Sequence, residues 1–174
     1  MIVAALIAHH AAGMIARWVE PWAHAYADSK VLATVVTYGH VASLLLAGGL
    51  AVATDRATLR ALRLAAAERG HHLDELARVH RVVVTGLTVS LITGALLFAS
   101  DVETFIGSWI FWGKMVLVLA LLINGYLMTR AERALRDDRT GSSPSWLHLR
   151  RTALLSMGLW YVITFAGVAL VNIA

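Results

Sequence analysis

The chain alternates between long stretches without formal charge and short segments rich in arginine, and this alternation limits the folds it can adopt. The first stretch covers residues 31–54, a run of 24 residues, and the others cover about residues 82–100, 104–129, which Lys114 interrupts, and 152–174. About 20 apolar residues in a helix cross the hydrocarbon core of a bilayer, which is roughly 30 Å thick. The pattern therefore predicts an all-α membrane protein, an up-down bundle of four transmembrane helices.

The composition agrees with this fold class. Hydrophobic residues make up 59% of the chain and charged residues 15%, whereas soluble domains carry about 25% charged residues. The net charge of +4 indicates helix orientation better than a nucleic-acid surface, because twelve of the fifteen basic residues lie in the connections between spans. The chain has no cysteine, which excludes disulfides, thiolate metal sites, iron–sulfur clusters and covalently attached haem.

The distribution of arginine predicts how the bundle sits in the membrane. Six arginines lie between spans one and two and six more between spans three and four, whereas the connection between spans two and three contains Asp101 and Glu103 and no basic residue. Cytoplasmic connections carry the excess of basic residues. We therefore expect a bacterial-type inner membrane protein with both arginine-rich connections in the cytoplasm and both termini outside.

Residues 1–28 form a separate predicted segment, which leaves residues 29–174 as the transmembrane domain. The uncharged residues 1–16 are short for a span and follow no basic segment of a signal peptide. Met14 and Trp18 fall on one helical face and Arg17 on another, which predicts an amphipathic helix lying in the membrane interface. We expect Pro21 to break this helix.

The connections also carry structure. Spans one and two are predicted to extend beyond the membrane as helices that turn at Gly70, and Ser143 and Pro144 are predicted to cap and begin the last helix. Small and polar side chains recur at helical spacing on spans one and two, which predicts that these two stripes face each other. The stripes are Thr37, His40, Ala47 and Ala51 on span one, and Gly86, Ser90, Thr93 and Leu97 on span two.

Histidines are the main candidate ligands. His80 and His148 lie at the arginine-rich starts of spans two and four, which are diagonal in an up-down bundle, so the pair is placed to ligate a haem b from both sides. Neighbouring arginines are candidate partners for the haem propionates. They are Arg78, Arg81, Arg150 and Arg151. The alternative is that both histidines are solvated at the membrane surface.

His40 is the deepest histidine, about 15 Å from the start of span one. It is either a ligand, of copper or of a second haem with Met115 as a possible partner, or a structural histidine hydrogen-bonded to a neighbouring helix. Two further groups have metal-ligand chemistry but no recognised spacing. These are His71 and His72 with Asp74 and Glu75, and His9, His10 and His24.

Other chemistry lacks candidate residues. The sequence shows no nucleophile paired with a base, no glycine-rich phosphate loop and no pair of carboxylates within the spans. Hydrolase, kinase and proton-pump functions are therefore not predicted.

Four segments resemble the membrane domain of the CopD family, which is related in architecture to b561-like four-helix cytochromes. They are residues 38–42 (YGHVA), residues 91–98 (LITGALLF), residues 111–125 with Lys114 and Asn124, and the Arg150-Arg151 pair. The resemblance spans about residues 31–174. It implies a four-helix membrane module with His40 as a functional residue, and it implies haem binding through the architectural relation.

Together these features predict an integral membrane b-type haem protein that transfers electrons. The alternatives are a non-catalytic subunit of a larger membrane complex and a CopD-like copper or small-solute transport protein. An electron-transfer or accessory role is favoured over an enzyme with its own substrate. The expected partners are the lipid bilayer and either membrane redox subunits or further copies of the chain, and no nucleic acid.

Overall fold

The computed structural model describes the backbone of residues 2–62, 66–137 and 145–173, and side chains within residues 13–62, 76, 78–135 and 146–172. The described part consists of helices: α1 (Ile2–Asp28), α2 (Lys30–Ala61), α3 (Ala66–Ser100), α4 (Val102–Gly107), α5 (Trp109–Asp137) and α6 (Ser145–Ile173). In the described residues, four segments are long and apolar enough to cross a membrane: Lys30–Ala61, Arg78–Ser100, Trp109–Leu135 and Trp146–Asn172. The prediction of an all-α, multi-pass membrane protein is confirmed.

The four spanning helices pack in the order expected for an up-down bundle. α2 packs against α3 and α6, and α5 packs against α6, whereas α3 and α5 touch only sparsely. This arrangement places α3 diagonally opposite α6, and α2 diagonally opposite α5. We call the end of the bundle at which α2 finishes and α6 begins the arginine end, and the other the opposite end.

The contact between α2 and α3 is the closed seam of the bundle, defined by Ala47, His40, Gly86, Ser90 and Thr93. A β-carbon at Gly86 would lie 2.9 Å from the Cβ of Ala47, so only glycine lets the two backbones approach this closely. Helices in lipid associate through such close packing, because hydrophobic exclusion does not drive them together. The prediction that the two small-residue stripes face each other is confirmed for His40 and Ala47 of span one and for Gly86, Ser90 and Thr93 of span two.

Helix α1 corrects one predicted boundary. It runs without a break from Ile2 to Asp28 and contains Pro21, although a proline inside a helix costs about 3 kcal/mol. Contacts of the following turn help to offset that cost. The indole Nε1 of Trp22 donates to the carbonyl of Leu96 on α3 at 2.9 Å, and the hydroxyls of Tyr26 and Thr37 lie 3.2 Å apart.

Two more boundaries differ from the predictions. Gly70 lies inside α3, which begins at Ala66, because one glycine costs a helix only about 1 kcal/mol and its neighbours are good helix formers. Span three begins at Trp109 and not at residue 104, because Asp101 accepts a hydrogen bond from the Thr104 amide at 3.2 Å and caps the separate helix α4. The predicted cap at Ser143 and Pro144 lies outside the described residues.

Candidate functional site

A cavity of about 300 Å³ lies between the spans, towards the arginine end. It separates two hydrophobic clusters, one around Leu149 at the arginine end and one around Trp160 nearer the centre. All four spanning helices contribute to its wall. The polar side chains of the wall are Thr54, Asp55, His80, Tyr126, Thr129, Glu132 and Ser156.

The cavity opens between α3 and α5. Its floor consists of buried residues on the other two helices, among them Asp55 and Trp160, whereas its rim includes the exposed side chains Val84, Leu122 and Tyr126. This opening coincides with the sparse contact between α3 and α5. We call this side of the bundle, defined by the rim residues and His80, the open seam.

Asp55 is the most enclosed polar group of the cavity. It lies six residues before the end of α2, about 9 Å at the rise of a helix, and its side chain is only 2% exposed. The Ser156 hydroxyl of α6 donates towards the carboxyl group, but the oxygen Oδ2 has no hydrogen-bond partner in the described structure. A buried carboxyl oxygen without a partner is costly and uncommon in native proteins.

Glu132 and His80 share the cavity with Asp55. Glu132, on α5, is 5% exposed, and His80, on α3, is half-buried with the charge of Arg133 close enough to act on it. The described residues contain no group of three histidine, aspartate or glutamate side chains close enough to hold a metal ion. The cavity therefore offers carboxyl groups to a cation without forming a compact metal centre.

This pair of carboxyl groups corrects the sequence analysis, which identified no carboxylate pair within the spans. Asp55 and Glu132 are close to the arginines of the connections, and both therefore resemble solvated residues of a helix end. The helices in fact extend past them to Ala61 and Asp137. The available signal was that the helices were predicted to continue beyond the apolar stretches, which places these residues inside the bundle.

His40 lies in the closed seam and not in the cavity. Its Nδ1 is 3.0 Å from the carbonyl oxygen of Ser90 and 3.2 Å from the hydroxyl of Thr93. Its ring also fills the space beside Gly94, where a β-carbon would lie 3.1 Å from Cε1. The deepest histidine is thus joined to the neighbouring helix by hydrogen bonds, which was one of the two roles expected of it.

Lys114 faces the bundle interior at the level of the His40 side chain. A methyl group at Gly167 of α6 would lie 3.7 Å from the Lys114 Nζ, and the lysine charge acts electrostatically on His40. Met115, the possible partner of His40, has an exposed side chain on the outer face of α5. A positive charge beside His40 opposes the binding of a copper ion there.

The structure separates the predicted haem ligands. His80 lines the cavity, whereas the side chains of His148, Arg78, Arg81, Arg150 and Arg151 are exposed, and none of these five residues belongs to the cavity wall. His24 is also exposed and lies 3.7 Å from Glu20. The side chains of His9, His10, His71 and His72 lie outside the described residues.

Comparison with known protein families, with curated proteins and with solved structures finds no match for this chain. The resemblance to the CopD family therefore rests on the short sequence segments alone. What can be concluded about function comes from the geometry of the bundle and its cavity.

Proposed function

We propose that this protein binds a cation in the cavity at the arginine end of its transmembrane bundle, and that binding serves transport of the cation. This belongs to the small-solute transport class that the sequence left open. In this proposal the arginine end faces the cytoplasm, since basic residues accumulate on that side. The observation that carries the proposal is the buried carboxyl group of Asp55, a residue of the cavity wall whose Oδ2 has no hydrogen-bond partner.

The physical argument concerns the cost of burial. Moving a carboxylate from water into a protein interior costs several kcal/mol even after the protein relaxes. A second buried carboxyl group in the same cavity, that of Glu132, adds to this cost if both are ionised, because like charges repel. A bound cation relieves the burial penalty of Asp55 and reduces the repulsion between the two groups. Ionisable residues inside membrane spans are accordingly candidate sites for ions and substrates.

The test is thermal unfolding of the purified protein in lipid nanodiscs with three classes of cation. These are potassium, the divalent ion Mn²⁺, and an organic monocation. A ligand of the folded state at about 100 times its Kd stabilises the protein by about 2.7 kcal/mol, which raises Tm by several degrees. We expect at least one class to raise Tm of the wild type, and uptake of that cation into proteoliposomes.

Asp55→Asn removes one negative charge from the cavity at nearly constant volume and should abolish the rise in Tm. Glu103→Gln is the matched control, because it removes the same charge from an exposed residue at the opposite end. The proposal is wrong if no class of cation stabilises the wild type, or if the Asp55→Asn variant responds as the wild type does.

Haem b is the second candidate, and the observation in its favour is that His80 lines the cavity. The donor set fits it less well than it fits a cation. His148 and the arginines expected to pair with the propionates are exposed outside the cavity wall, whereas two carboxyl groups lie within it. The visible spectrum of the same preparation separates the two candidates. A Soret band lost in the His80→Ala variant would establish haem binding.

A further inference from the structure

We infer that the cation is organic and lipophilic, with its charged group at the carboxyl groups of the cavity and its apolar body directed towards the centre of the membrane. This inference rests on the proposed function and names the substrate class of the same site. The polar and apolar parts of the wall, its aromatic residues and its opening between α3 and α5 each support it.

The cavity wall changes character with depth. The ionisable residues Asp55, His80 and Glu132 lie towards the arginine end of α2, α3 and α5, where Leu76 and Val79 also line the wall, whereas the lining residues deeper on α3 and α5 are mostly aliphatic and include no ionisable group. The deeper lining residues are Ala51, Val83, Val84, Leu87, Leu121, Leu122 and Trp160. A ligand that matches both parts has a positive charge at one end and an apolar body at the other.

An inorganic cation matches only the carboxyl end of the cavity. Metal ions need several ligand atoms at short distances, and no group of three suitable side chains exists among the described residues. Aliphatic walls give a hydrated ion nothing to replace its water. They do bury the surface of an organic body, at about 25 cal/mol per Å². The indole of Trp160 on the floor adds apolar aromatic surface to this deeper part of the cavity.

The opening of the cavity suits a ligand that arrives from the lipid. The rim residues Val84, Leu122 and Tyr126 are exposed and surround the gap between α3 and α5. The carboxyl groups lie near the arginine end of the spans, about 9 Å from the end of α2 in the case of Asp55. A lipophilic cation in one leaflet keeps its charge near the interface and its body among the acyl chains, which is the pose that the cavity accepts.

The test is isothermal titration calorimetry of the nanodisc-embedded protein with three probes. The heat measured with empty nanodiscs is subtracted. Tetraphenylphosphonium has both the charge and the apolar body, tetramethylammonium has the charge without the body, and triphenylphosphine oxide has the body without the charge. We expect tetraphenylphosphonium to bind at least about tenfold more tightly than either other probe, because it alone combines a positive charge with a large apolar surface.

In the Asp55→Asn variant, binding of tetraphenylphosphonium should weaken on the order of 30-fold, since the charge loses a buried partner. Glu103→Gln should bind as the wild type does, and both variants must elute as the wild type does in size-exclusion chromatography. If the Asp55→Asn variant does not elute as the wild type does, the Glu132→Gln variant is titrated in its place.

The inference and the proposed function fail in different ways. If potassium or Mn²⁺ binds through Asp55 and tetraphenylphosphonium does not, the ligand is inorganic and only the inference is overturned. Equal binding of tetraphenylphosphonium and triphenylphosphine oxide would mean that the cavity selects apolar bodies and not charge, which also overturns it. If no cation binds, both proposals are overturned.

Discussion

The closed seam between α2 and α3 and the open seam between α3 and α5 share one helix, and each contains a histidine. They differ in whether their buried polar groups have hydrogen-bond partners. In the closed seam, His40 contacts both the carbonyl of Ser90 and the hydroxyl of Thr93. Beside the open seam, Asp55 keeps an oxygen without a partner at the wall of a cavity. Satisfied polar groups fix how helices pack, whereas a buried unsatisfied group requires an explanation, which for Asp55 we propose to be a bound cation.

The largest expected difference between the seams comes from adding a side chain to a glycine in each. A leucine at Gly86 would collide with Ala47, since even a β-carbon lies 2.9 Å from it, and should destabilise the protein by about 3 kcal/mol. A leucine at Gly125 meets no atom within 4 Å of its β-carbon and extends into the cavity wall. It should leave stability unchanged and block cation binding.

Unfolding temperature and titration of both leucine variants check this prediction. Gly113→Leu is the control, because the position is exposed and open but does not line the cavity. Equal losses of stability at Gly86 and Gly125 would show that the two seams are packed alike.

The second comparison replaces the histidine of each seam with alanine in separate variants. His40→Ala removes a ring that fills the space beside Gly94 and contacts α3, and should cost about 2 kcal/mol of stability. His80→Ala enlarges an existing cavity and should cost about 0.5 kcal/mol or less. Ligand affinity should fall more in the His80→Ala variant than in the His40→Ala variant. A ligand affinity that depends on His40 more than on His80 would place the binding site in the closed seam.

The smallest expected effect is the change in stability of the ligand-free Asp55→Asn variant, and its sign distinguishes a ligand-binding carboxyl group from a structural one. Without a ligand, Asp55→Asn should raise the stability of the protein by about 1 kcal/mol, because removal of an uncompensated buried charge relieves a desolvation penalty. If the carboxyl group only supports the fold through Ser156, the same change should lower stability instead. Tm of the ligand-free variant, measured beside that of Glu103→Gln, distinguishes the two roles.

Much of the fold could be predicted from the sequence because single helices carry the signal. The uncharged stretches locate the four spans. Small residues that recur at helical spacing within each helix, among them Ala47 on α2 and Gly86 on α3, identify the closed seam. The boundaries at Pro21, Gly70 and residue 104 were wrong, because packing and capping contacts outweigh the local preference of one residue.

The candidate site was less predictable. His80, predicted as a haem ligand, lines the cavity, whereas its predicted partner His148 is exposed, and Asp55 and Glu132 were not selected at all. Their proximity to arginine in the sequence made them resemble surface residues. Whether a charged residue near the end of a span faces solvent or a cavity depends on its helical phase relative to three other helices.

The sequence by itself determined that the described part of this chain contains four helices long and apolar enough to cross a membrane, and that α2 packs closely on α3, because hydropathy and small-residue spacing act within one or two helices. Only the tertiary structure decided which polar groups meet. The contact between α3 and α5 is sparse, and a cavity opens between these helices. One histidine and two carboxyl groups, from three different helices, line this cavity. Such a juxtaposition depends on the phases and distances of several helices at once, which no local pattern encodes.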